Sequence, residues 1–81
     1  MSLTIKNGAT VEFYYDGDKL PEIFTKEAMV KLMKTFSVKD CHTMLKDAIG
    51  HHVKTMYNKE LSKEDRSAIL GLISELNDTL H

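Results

Sequence analysis

The sequence predicts a small α+β domain, mostly helical, in which an N-terminal β-hairpin is followed by three α-helices with the second helix central. Three features lead there. The apolar residues of the first fifteen positions, Leu3, Ile5, Val11, Phe13 and Tyr15, are all odd-numbered, which is the period of a half-buried strand. After Pro21 the apolar spacing becomes helical. Helix-start signals recur at Thr25, Ser37 and Ser62.

The hairpin spans about 2–16. Odd positions stay on one face only if an odd number of residues separates the strands, so a two-residue Asn-Gly turn is excluded. A three-residue loop, Lys6-Asn7-Gly8, pairs Ile5 with Ala9, Leu3 with Val11 and Met1 with Phe13. It also puts Gly8 where a left-handed residue is needed. Asp16-Gly17-Asp18 ends the second strand, and Pro21 limits any third strand to a few residues.

The first helix covers about 25–36, capped by Thr25, with Ala28, Met29, Leu32, Met33 and Phe36 on one face. Ser37 followed by Asp40 resembles a capping box, with Phe36 stapled onto Cys41, so a second helix follows almost without a loop. It runs over about 37–58 on a spine of Val38, Leu45, Ile49, Val53 and Met56. Leu61-Ser62-Lys63-Glu64-Asp65 repeats the cap signal and opens a third helix over about 62–80, with Ile69, Leu72, Ile73, Leu76 and Leu80 in one stripe. No internal repeat or linker interrupts the chain, which reads as a single domain over 1–81.

The second helix carries an apolar arc of about half its circumference, through Met44, Ala48, Cys41, His52, Leu45, Val38, Ile49, His42 and Val53. One neighbouring helix covers about a third of such a circle, so the arc asks for two or more neighbours or a second copy of the chain. A chain of 81 residues has little core in reserve, which favours assembly. The interface candidates are therefore Met44, Cys41, Ala48, His52 and Val53, joined by Tyr14 on the outward hairpin face and by Tyr57.

Charge is uneven. Residues 1–24 hold two Lys against four acids, 25–59 seven Lys against three, and 60–81 two basic residues against five. The acidic end is expected to pack beside the basic middle, within one chain or across a dimer. His42 and His52 fall inside the apolar arc as structural histidines. Asp47 and His51 share the metal-ligand spacing of four, but zinc takes three or four ligands and no second cluster is present. Glycine-rich phosphate loops, G-x-S-x-G and paired catalytic carboxylates are missing too, so neither catalytic nor metal residues nor a cofactor are assigned. Cys41 reads as a small buried hydrophobe rather than a nucleophile. A lone cysteine and the absence of a signal-like or membrane-length apolar run point to the cytoplasm.

Two functions fit. The first is a non-enzymatic regulatory or adaptor protein that binds another protein, acting as a homodimer, with the size and plainness of bacterial or phage accessory proteins. The alternative is weak nucleic-acid binding by a helix-turn-helix of the first two helices. There Lys39, His42, Thr43 and Lys46 would face the groove, with Lys26, Lys34 and Lys54 near phosphates and Asp40 and Asp47 opposing. Nucleic acid is thus the less expected partner, and a membrane is not expected.

Overall fold

The computed structural model describes residues 3–21 and 25–80. Strands β1 (Leu3–Asn7), β2 (Val11–Tyr15) and β3 (Asp18–Lys19) form an antiparallel sheet in the order β1-β2-β3. Helices α1 (Lys26–Thr35), α2 (Val38–Tyr57) and α3 (Lys63–Leu80) follow. The hairpin and three helices are as the sequence predicts, with a two-residue third strand added.

The odd face of the hairpin is the buried one, but its register is not the expected one. Leu3 pairs with Tyr15, Ile5 with Phe13 and Asn7 with Val11. The loop still has three residues, now Gly8-Ala9-Thr10, which preserves the face while sliding every pair. Longer pairing decides it: this register opposes all five residues of both strands and leaves Tyr15 to pair onward with Asp18. The expectation for Met1 lies outside the described residues. The left-handed glycine is Gly17 (φ 86°), not Gly8. With Asp16 at φ 53°, Asp16-Gly17 forms the tight β2–β3 turn, in which both central residues have positive φ.

The caps form as read. Thr25 Oγ1 accepts from the Ala28 N–H (3.1 Å) and Ser37 Oγ from that of Asp40 (3.1 Å). Asn58, left-handed at φ 56°, closes α2. At α3 the box is reciprocal: Ser62 Oγ accepts from the Asp65 N–H (3.1 Å) and Asp65 Oδ2 from the Ser62 N–H (3.2 Å). The other oxygen, Asp65 Oδ1, accepts the Leu3 N–H at 2.9 Å, and Asp65 is only 2% exposed. One carboxylate thus joins the start of β1 to the start of α3.

The core lies between the sheet and the helices. Val11, Phe13, Tyr15 and Leu20 enter from the sheet side, Met29 from α1, and Ile69, Leu72, Ile73 and Leu76 from α3. Leu45 and Ile49 of α2 meet them. α2 packs on α1 and α3, and α3 in turn also touches β1 and α1. Two expected core positions face water. Phe36 is 42% exposed and leaves the helix in an extended conformation (φ −119°, ψ 159°), with its carbonyl accepting from the Cys41 thiol at 3.9 Å. Met56 is 49% exposed. It lies about three turns beyond Leu45, past the end of α2 that Met29, Leu32 and Met33 of α1 surround. The side chain of Leu80 lies outside the described residues.

Asp65→Ala removes a cap and leaves the buried Leu3 N–H without its acceptor, so urea denaturation should show a loss of about 2 to 4 kcal/mol. Asp65→Asn should cost less, keeping one acceptor. A Cβ at Gly50 would meet Leu61 Cδ1 at 3.6 Å, an ordinary contact. Gly50→Ala should therefore raise stability by about 0.5 to 1 kcal/mol in the same assay.

Candidate functional site

The arc of α2 that asks for a second covering surface finds it within one chain. Cys41 is 2% and Val53 0% exposed, while Met44, Ala48 and His52 are half-buried at its margin. Of the candidate interface residues, Cys41 and Val53 are thus committed to the internal core. The Cys41 thiol is pushed above its ordinary range by burial and then by the nearby Asp40 charge. Tyr57 is half-buried and turned back onto the sheet: its ring lies 5.0 Å from that of Tyr15, and its hydroxyl donates to Asp18 Oδ2 at 3.0 Å. Burial, followed by that hydrogen bond, raises the Tyr57 phenol; burial, followed by the Asp65 charge, raises Tyr15.

Tyr14 stands on the outward sheet face, half-buried, with the Lys6 ammonium 4.9 Å from its ring centroid. Beside it Lys19 Nζ and Glu12 Oε2 pair at 3.0 Å, and the hydrogen bond from Lys19 holds the Glu12 carboxyl below its usual range. β1 is tied down at its start, and so is the loop that follows it. Asp65 takes the Leu3 N–H, and Lys26 Nζ donates to the Gly8 carbonyl at 3.1 Å. Lys26 is therefore engaged within the fold rather than turned toward a phosphate.

The open ground lies between α2 and the first half of α3. There His42 Nε2 donates to the Arg66 carbonyl at 3.1 Å. One hollow of about 410 Å³ is lined by Lys46, Asp47, Gly50, Lys54, Glu60, Leu61 and Arg66. A second, of about 330 Å³, is lined by His42, Lys46, Lys63, Arg66, Ser67 and Leu70. Lys46 and Arg66 border both. Leu70 is 42% exposed. Of the residues assigned to nucleic-acid binding, His42, Lys46 and Lys54 line this ground, whereas Lys39 and Thr43 are exposed farther toward the start of α2. Thr43 Oγ1 donates back to the Lys39 carbonyl at 3.1 Å.

Lys63, Arg66 and Leu70 do not stand out in the sequence as a site. Their one signal there is a basic pair opening an otherwise acidic segment. The expected pairing of acidic end with basic middle is partly met, because Glu60 lines one hollow with Lys46 and Lys54, while Lys63 and Arg66 are the α3 residues beside Lys46 in the other and Glu75 and Asp78 lie farther along the helix. Asp47 and His51 are both exposed. Among the described residues no group of three or more His, Cys, Asp and Glu is placed to hold a metal ion, and no helix is long and apolar enough to cross a membrane. No family model, curated protein or solved structure matches the chain.

The raised Tyr15 and Tyr57 phenols favour the protonated form in the fold, so the stability they contribute is full below the ordinary tyrosine value of 10.0 and is lost as pH rises above it. Tyr57→Phe should lower the melting temperature at neutral pH and flatten its fall in alkaline buffer. Native Cys41 should react slowly with an aromatic disulfide reagent, at a rate that rises steeply across the urea transition. Fast labelling of the folded protein would contradict its burial.

Proposed function

We propose that the protein is a small non-enzymatic regulatory or adaptor protein that acts by binding another protein. The observation that supports this best is the pair of adjoining hollows between α2 and α3, where four cations, Lys46, Lys54, Lys63 and Arg66, meet two carboxylates and the exposed Leu70. Cationic and apolar groups side by side on open ground suit a protein surface with acidic and apolar groups of its own. Its setting in this reading is the reducing cytoplasm, in the manner of bacterial or phage accessory proteins, an analogy of size.

Homodimerisation belongs to the same reading with less behind it. The centre of the α2 arc, Cys41 and Val53, is covered within the chain, which leaves Met44, Ala48 and His52 half-buried at its margin for a second copy. The exposure of Phe36, Met56 and Leu70 adds to it.

Nucleic-acid binding is the second reading. It is favoured by the two-residue junction Phe36-Ser37 between α1 and α2 and by exposed Lys39, Thr43 and Lys54 along α2. Exposed Asp40 and Asp47 on the same helix oppose it.

Lysine-directed cross-linking in extracts of the source cells, read by mass spectrometry, should join one partner protein through Lys46, Lys54 or Lys63 rather than through Lys31 or Lys34. Links confined to the chain itself would overturn the reading. Fluorescent duplex DNA titrated at low salt should show no binding; an interaction that weakens steeply as salt rises would favour the second reading.

A further inference from the structure

The smaller hollow between α2 and α3 is lined by Lys46, Lys63 and Arg66 with His42, Ser67 and Leu70, and by no carboxylate. Three permanent cations drawn from two helices repel one another, and so gain most from an anionic occupant. Among the described residues, Asp47 and Glu60 line the adjoining hollow, which shares Lys46 and Arg66, and no carboxylate lines this one. Glu75 and Asp78 lie nine and twelve positions beyond Arg66 on the same helix, about 13 to 18 Å along its axis, and a continuous helix cannot fold back to deliver them. Asp18 accepts the Tyr57 hydroxyl, and Asp65 is buried on Leu3 and Ser62.

We infer that this hollow receives an acidic segment of a partner protein, a short run of Asp or Glu side chains bracketing one apolar residue. The carboxylates pair with Lys46, Lys63 and Arg66, and the apolar side chain covers Leu70. The inference rests on the protein-binding reading above and names the chemistry of the partner.

Two features favour a peptide over a nucleic acid. The cationic ground is a short island, because the adjoining hollow already carries Asp47 and Glu60. A duplex backbone brings one negative charge per about 1.7 Å and would meet those carboxylates as it ran on. Leu70, 42% exposed at the rim, also offers an apolar contact that a phosphate backbone cannot use and a leucine or phenylalanine side chain can.

The test is fluorescence anisotropy with a labelled peptide of glutamates around one central leucine, at low and moderate salt, against the intact protein. Binding is expected, weakening with salt. The Lys46→Glu/Arg66→Glu double variant should lose about tenfold or more in affinity. Lys39→Glu, outside the hollow, should leave affinity nearly unchanged, and Leu70→Ser should weaken it at constant charge. Thermal melts confirm that each variant folds. A peptide that does not bind, or binds equally well to the double variant, overturns the inference. So does tighter binding of a duplex DNA through the same residues, or self-association that the double variant abolishes without any peptide binding, which would make the occupant a second copy. A cross-linked cellular partner that the double variant still retains would overturn this inference alone and leave the protein-binding reading standing.

Discussion

The structure turns on a single buried carboxylate. Asp65 is 2% exposed and would be costly there without partners, because a charge taken out of water needs hydrogen bonds to replace its hydration. It has two backbone donors, Ser62 N–H and Leu3 N–H, and sits in the first turn of α3, where the helix dipole favours negative charge. A sheet with only two residues in its third strand is marginal alone and must pack on the helices. Asp65 places it there, 62 positions away in sequence from the strand it holds.

With the sheet anchored on α3, α2 is covered by its own chain. Leu45, Ile49 and Val53 share the core with Ile69, Ile73 and Phe13, and Tyr57 ends the helix against Tyr15 and Asp18. The centre of its apolar face is thereby used internally, while Met44, Ala48 and His52 stay half-buried at the margin. The surface left to interact is the seam between α2 and α3, where side chains that are unremarkable along the chain become neighbours: Lys46 from the middle of α2, Lys63 and Arg66 from the start of α3. Packing brings like charges together here, with Asp47 and Glu60 in the adjoining hollow and Glu75 and Asp78 farther along α3.

Much of this was legible in the residues. Thr25, Ser37 and Ser62 mark helix starts because a side-chain oxygen near the first unpaired N–H groups acts within three residues. The buried face of the hairpin was legible too, since alternation needs only the side-chain period of two. The register was not, because any odd loop preserves that face, and the pairing of Tyr15 with both Leu3 and Asp18 selected one. Phe36 and Met56 fit the apolar pattern of their helices, yet both are exposed, Phe36 where the backbone turns extended and Met56 where its neighbour stops short.

The sequence by itself therefore determined the elements, their order, their caps and which face of each strand and helix is greasy, all of which follow from interactions a few residues long. Tertiary structure alone decided that Asp65 is buried, that Cys41, Leu45, Ile49 and Val53 of α2 are covered by the chain itself, and that the cations of α2 and α3 share one hollow. Those outcomes depend on which elements lie side by side, and no local period carries that information.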